Sequence, residues 1–353
     1  MTIQAFKQRF DPILFPLAEA RVKQYNQRCS DVFVRHSNEH MLTLIKSGGK
    51  RIRPYIACTI YEMLGGRITK PVMELFSALE LFHVFALIHD DIIDHGMERH
   101  GVPTLHRFIH KSLETHARVG DLAHIASGQA MLLGDVLHAA ANYLMMRGIK
   151  ADANRLRRLR AEFDAMVEEV LLGEALDVDT ATRRTASSEL IEQKMYLKTA
   201  SYTFIRPMKM GAALAGASKS FEGFCEVFGA ALGLAFQIQD DLLDLTASTQ
   251  MIHKTIFSDL QERQHTVFTQ HIFEHGTKTE QTELQALMGI ALTEAHRPRV
   301  EKLFQDSGAV IHGRARLSVH FDEAERALAE LQLPMARKQT LRDLLKYIRD
   351  RSL

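Results

Sequence analysis

Apolar residues recur at three- and four-residue spacing along most of the chain, as in Val72, Leu75, Phe76, Leu79, Phe82 and Val84 through Leu87. This is the stripe of a helix that buries one face. Alternation of period two, the mark of a half-buried strand, is almost absent. Breaks fall at Ser47-Gly48-Gly49, Gly65-Gly66, Gly101-Val102-Pro103, Gly148, Gly211 to Gly216 and His296-Arg297-Pro298, leaving helices of about 15 to 25 residues between turns. The pattern predicts an all-α fold. Two segments, Phe82–Ile93 and Phe228–Leu245, are apolar on nearly every face and belong at the centre of a helical bundle. No Gly/Ser-rich or Pro-rich linker interrupts the chain, so residues 1–353 read as a single domain.

Composition narrows the picture. At 353 residues and 46% hydrophobic content the chain can bury a large core. Its 44 basic and 43 acidic residues are interspersed and leave a net charge of +1, so it carries no footprint for nucleic acid or an anionic membrane. Cys29, Cys58 and Cys225 are widely separated and odd in number, which fits reduced core thiols better than a disulfide framework. Gln4, Lys7, Gln8 and Arg9 interrupt the amino terminus where a signal peptide needs an apolar core, and no long uninterrupted apolar run suggests a transmembrane segment. A cytoplasmic protein is expected.

The two most apolar helices carry the chemistry. Each ends in an acidic cluster, Asp90-Asp91-Ile92-Ile93-Asp94 and Asp240-Asp241-Leu242-Leu243-Asp244. In a helix, residues three and four apart share a face, so each cluster gathers carboxylates over about one turn. Carboxylates in an apolar setting are costly unless paired or metal-bound, and hard oxygen ligands suit Mg2+, which completes its shell with water and substrate phosphates. Two opposed clusters could clamp a diphosphate. Neither has the Gly and Glu of a calcium loop, and His89, His95, His100 and His106 lack a thiolate or HExxH context for zinc.

Further motifs surround these clusters in a fixed order. Gly48-Gly49-Lys50-Arg51-Ile52-Arg53-Pro54 is followed by His83, the first aspartate cluster, Arg99-His100-Gly101-Val102-Pro103-Thr104, Gly134-Asp135, Lys198-Thr199, Phe236-Gln237, the second aspartate cluster, Lys254 and Ser258-Asp259-Leu260. From Gly48 to about Thr266 the chain resembles the all-trans polyprenyl diphosphate synthase family. The resemblance implies an isoprenoid synthase type helical bundle around a central cavity, usually a homodimer. It further implies that Asp90, Asp91, Asp94, Asp240, Asp241 and Asp244 bind three Mg2+ and hold an allylic diphosphate, which ionises and is attacked by isopentenyl diphosphate. Arg99, Lys198 and Lys254 then match positions that hold the allylic diphosphate, with Thr199 and Gln237 beside them. Lys50, Arg53 and His83 match the isopentenyl diphosphate site.

Departures from that pattern qualify the expectation. The family's second arginine before the glycine is His100, so part of a charge at the isopentenyl diphosphate site is lost near neutral pH. In Ser258-Asp259-Leu260-Gln261-Glu262-Arg263-Gln264-His265-Thr266 the family's glycine is Arg263 and its lysine Gln264, with Arg263 a candidate to compensate. The loop after the second cluster reads Thr246-Ala247-Ser248 and ends at His253. Phe85, with Ala86 beside it, resembles the floor that stops chain growth, which points to geranylgeranyl diphosphate as main product, with shorter or longer chains open. Two other readings remain: a class I terpene cyclase, which normally replaces the second cluster, and a noncatalytic regulatory subunit, which normally loses one.

Overall fold

The computed structural model describes residues 1–147, 149–246 and 256–350, and they are almost entirely helical. They group into two compact units, Met1–Arg160 and Ala161–Leu353. Lys254, Ala247, Ser248 and His253 lie outside the described residues.

The first unit contains α1 (Ile3–Arg28), α2 (Val32–Ser47), α3 (Ile52–Met63), α4 (Lys70–Ile93), the two-residue strands β1 (Glu98–Arg99) and β2 (Val102–Pro103), α5 (Leu105–Thr115) and α6 (Leu122–Arg147). Side chains that compete for backbone N–H groups start the first helices: Thr2 accepts from Ala5 N at 3.2 Å and Asp31 from Val34 N at 3.0 Å. Helix α4 is the centre of this unit, with Phe76, Leu79, Phe82 and Ile88 among its buried residues. Arg51, which opens α3 in a left-handed conformation (φ 56°), is buried and fixed by Asp11 Oδ1 at 2.9 Å, Glu80 Oε1 at 2.6 Å and the Ile45 carbonyl at 2.9 Å. Of the basic residues in that motif, Arg51 therefore holds the fold together.

Helix α7 (Ala153–Ala181) crosses the boundary at residue 160. The second unit continues with α8 (Ser188–Met195), a π-helix (Tyr196–Ile205), α9 (Arg206–Ala215), α10 (Lys219–Thr246), α11 (Ser258–Gln261), α12 (Val267–His275), α13 (Lys278–Leu287), α14 (Arg297–Asp306), α15 (Ala309–Glu330) and α16 (Met335–Arg349). Glycines let two helices approach the π-helix backbone closely. A Cβ on Gly173 of α7 would lie 2.5 Å from Lys198 N, and one on Gly233 of α10 would lie 2.4 Å from Ala200 Cα.

By length and mean apolar content α4 and α10 resemble bilayer-crossing helices, although Glu74 and Glu80 interrupt the one and Glu222 and Glu226 the other. Packing explains their composition: 72% of the apolar window of α4 and 50% of that of α10 are buried inside the protein.

Candidate active site

In the first unit the chain reverses immediately after α4. Asp94 caps the helix, its N–H bonding the Asp90 carbonyl at 2.8 Å, and Gly96 N bonds the Asp91 carbonyl at 2.9 Å. The strands β1 and β2 then pair Arg99 with Val102 across a turn in which His100 (φ 51°) and Gly101 (φ 77°) are both left-handed. Thr104 fastens the hairpin to the helix end through its Oγ1 and the Gly96 carbonyl at 2.8 Å. This hairpin is not visible as period-two alternation, because each strand is only two residues long.

Its effect is to fold Arg99 back onto the first aspartate cluster. Arg99 Nε lies 3.0 Å from both oxygens of Asp91, and Nη2 lies 2.7 Å from Asp91 Oδ1 and 3.1 Å from Asp90 Oδ2. A guanidinium fork suits carboxylate and phosphate oxygens alike, so Arg99 is positioned where a carboxylate and a phosphate would compete for it.

A second group of basic side chains adjoins this pair. His83, His100, Gly48, Gly49, Asp91 and Arg99 line one small cleft. His83 is pushed well below the usual histidine range by burial first and then by Arg53, Arg99, Arg51 and His100 around it. It is therefore a neutral donor in a positive field, suited to an anion. Gly48 is required by His100, because a Cβ there would sit 2.6 Å from the imidazole Cγ. Lys50 is exposed in the same loop. Phe85 is buried among rings, 5.1 Å from Phe82, 4.5 Å from His89 and 5.0 Å from His138 of α6. His89 Nε2 in turn lies 3.4 Å from Asp135 Oδ1, and the adjacent Gly134 lets α6 pass the imidazole closely.

In the second unit the Lys198-Thr199 pair lies on the π-helix, a conformation often found at functional sites. Lys198 Nζ is held by Glu174 Oε2 at 2.8 Å and Asp177 Oδ2 at 2.6 Å. Thr199 Oγ1 donates to Gln237 Oε1 at 2.5 Å, and Gln237 Nε2 donates to Asp241 Oδ1 at 2.7 Å. The sequence motifs at 198–199, 236–237 and 240–244 are thus one hydrogen-bonded chain.

The aspartates of this unit differ among themselves. Burial, with Asp240 and Asp244 adding to it against Gln237 and Lys194, pushes the Asp241 carboxyl up to about 7. Asp244 is already an acceptor: Ser258 N and Oγ bond its Oδ1 at 3.0 and 2.8 Å, and Asp259 N bonds its Oδ2 at 3.1 Å. Its carboxylate starts α11 as well as facing the cluster. Asp259, raised well above the carboxylate range by burial and then by Asp244 and Asp241, joins the same acidic group.

Two residues here escaped the sequence reading as site members. Asp259 was legible as part of a motif, but its proximity to Asp241 and Asp244 is a tertiary fact. Lys194 had no signal, since one lysine on an amphipathic helix is ordinary. It is buried, and its Nζ reaches Asp177 Oδ1 at 2.8 Å, the His265 carbonyl at 3.0 Å and Gln264 Oε1 at 3.2 Å. Arg263 does not turn toward the acids. It keeps a left-handed backbone (φ 59°), suited to the glycine it replaces, and donates to the carbonyls of Ala181 and Met288, both at 3.3 Å.

Buried carboxylates that raise one another's pKa call for a cation, and an all-oxygen donor set suits a hard divalent ion such as Mg2+. Among the described residues no three acidic or histidine side chains already converge on one metal position. Water and substrate oxygens would complete the shell, as is usual for Mg2+.

A family profile described as polyprenyl synthetase matches residues 34–306. Over 236 residues, 67% of each chain, the protein is 31% identical to the geranylgeranyl diphosphate synthase of Methanosarcina mazei. Over 327 residues, 88% of this chain and 92% of the relative, it is 30% identical to the geranylfarnesyl diphosphate synthase of Aeropyrum pernix. It is also similar to the crystal structure of Corynebacterium glutamicum geranylgeranyl pyrophosphate synthase complexed with isoprenyl diphosphate and magnesium. That likeness has a TM-score of 0.89 at 25% identity and covers 98% of this chain and 99% of the other.

Proposed function

The chain belongs to the polyprenyl synthetase family, and on that premise we propose how this prenyltransferase makes its product: it condenses isopentenyl diphosphate with an allylic diphosphate, giving mainly geranylgeranyl diphosphate. The allylic C–O bond breaks and diphosphate departs. The double bond of isopentenyl diphosphate attacks the allylic cation, and loss of a proton leaves a chain five carbons longer.

The observation that carries this reading is the coupling of Arg99 to Asp91 and Asp90. It joins carboxylates fit for a divalent ion to a guanidinium fit for phosphate in one hydrogen-bonded group. Arg99 and Lys198 would pass from carboxylate partners to diphosphate oxygens, while Thr199 and Gln237 orient Asp241. Lys50, Arg53, His83 and His100 would hold the isopentenyl diphosphate, and Lys254 the allylic partner. Asp90, Asp91, Asp94, Asp240, Asp241 and Asp244 would hold Mg2+, three ions per site, which would supply charge neutralisation of the leaving diphosphate.

The whole chain is read as one catalytic domain, acting in the cytoplasm as a homodimer. Exposed Met131 and Leu132 on α6, and exposed Leu171 and Leu172 on α7, supply apolar surface for self-association. Nothing favours a noncatalytic role, since both aspartate clusters are present. The test is incubation with Mg2+, labelled isopentenyl diphosphate and dimethylallyl, geranyl or farnesyl diphosphate, then chromatography of the dephosphorylated products. A twenty-carbon alcohol is expected; folded protein that extends none of the starters would refute the reading.

A further inference from the structure

Helices α1 and α6 leave an open cleft of about 480 Å³ floored by Leu81 of α4. The volume is in the range of small-molecule sites. Its composition is polarised: Leu17, Leu81, Ala140 and Leu144 give an aliphatic floor, while Arg21, Arg28 and Arg147 stand along it. No acidic residue lines the cleft, and among the described residues none of the three arginines has a carboxylate partner. Of the three, Arg21 is half-buried and Arg28 and Arg147 are exposed, whereas the half-buried Arg206 is matched by Glu162 and Glu169.

One of these cations is held in place. The Arg21 guanidinium lies 3.5 Å from the centre of the Tyr143 ring, and its Nη1 donates to Gln24 Oε1 at 2.9 Å. Stacking fixes the plane of the fork while leaving donors for an anion. Arg28 lies two helical turns along α1 from Arg21, so positive charge extends along the cleft for about 10 Å. Leu81 lies ten residues before Asp91 on α4, about 15 Å along the helix. The cleft is therefore not the substrate cleft at Asp91, Arg99 and His83.

We propose that this cleft binds a single apolar chain ending in a phosphate or diphosphate, with the chain on the aliphatic floor and the anion on Arg21 and Arg147 or Arg28. Apolar floor and matched charge together select an amphiphile over inorganic phosphate. The net charge of +1 gives no general attraction to an anionic bilayer, so the occupant is a free molecule entering singly. The choice of a prenyl diphosphate as probe rests on the proposed function, but the site itself does not.

The experiment is equilibrium dialysis of the full chain with labelled geranylgeranyl diphosphate in excess EDTA, which removes metal-dependent binding at the aspartates. One molecule bound per chain is expected, with affinity lowered at least about tenfold by Arg21→Ala combined with Arg147→Ala. Asp91→Asn should leave it intact, and Arg147→Lys should retain most of it. The double arginine variant should keep its thermal stability and its synthase rate at low product concentration. No binding in EDTA, or binding indifferent to the double variant, overturns the proposal. So does arginine-dependent cosedimentation with phosphatidylglycerol vesicles in the absence of binding to the free diphosphate. Failure of synthase activity with retained EDTA-resistant binding would refute the reaction and not the site.

Discussion

Lys194 Nζ donates to Gln264 Oε1 at 3.2 Å, which brings a buried ammonium to the position where the family pattern has its own lysine. Burial raises the carboxyls of Asp241 and Asp259, and the same ammonium partly opposes that rise. Charge lost from the 258–266 segment has a substitute on α8. Lys194→Met should lower kcat/KM for the allylic diphosphate by about tenfold to a hundredfold. Gln264→Lys placed in that background should recover much of the loss. Steady-state kinetics with both variants decide; unchanged kinetics in Lys194→Met would leave the lysine a purely structural tie between Asp177 and residue 265.

Asp241 titrates at about 7 in the folded chain against 3.8 for a free aspartate. Because the folded value is raised, this group's contribution to metal-free stability is full below about pH 4 and is lost as pH rises through about 7. Mg2+ competes with the same proton. Added Mg2+ should therefore raise Tm more at pH 8 than at pH 5.5, and Asp241→Asn should cancel most of that difference. Equal Mg2+ shifts at both pH values would argue against Asp241 as a ligand.

Gly233 faces Ala200 Cα so closely that a methyl group would lie 2.4 Å from it. Main chain cannot yield as a flexible side chain does, so Gly233→Ala should cost about 1–3 kcal/mol. Since the displaced segment carries Lys198 and Thr199, the KM for the allylic substrate should rise too. Denaturant melts and kinetics on one preparation test both; a stable variant with altered kinetics would separate the two effects.

Phe85 packs on His138 at 5.0 Å and on Phe82 at 5.1 Å. If this ring cluster is the floor beneath the growing chain, Phe85→Ala should yield products longer than twenty carbons, and His138→Ala a smaller shift in the same direction. The cavity should also destabilise the fold by about 3–5 kcal/mol. An unchanged product length in a folded variant would assign Phe85 to core packing alone.

His100 occupies a left-handed turn position with its ring against Gly48. His100→Arg restores a permanent charge beside His83 at some backbone strain. The expected result is a lower KM for isopentenyl diphosphate, most marked above pH 7, where a free imidazole is mostly neutral. An unchanged KM would show that this position does not touch the substrate.

Helix class, the two acidic helix ends and the order of the flanking motifs were legible because each follows from local spacing: a 3.6-residue period, carboxylates three and four apart, glycines at turns. Arg51 shows where such reading stops. Within Lys50-Arg51-Ile52-Arg53 nothing local tells one cation from the next, and only the packing of α1 and α4 commits Arg51 to Asp11 and Glu80.

The sequence by itself determined that carboxylates would stand on apolar helices and so require cations. The tertiary structure decided which groups share them, because such pairings depend on distances between segments remote in the chain. The hairpin after α4 turns Arg99 onto Asp91, the π-helix brings Thr199 to Gln237, and Asp244 is drawn to the start of α11. Lys194 and Gln264, 70 residues apart, meet only once α8 and the 258–266 segment have packed.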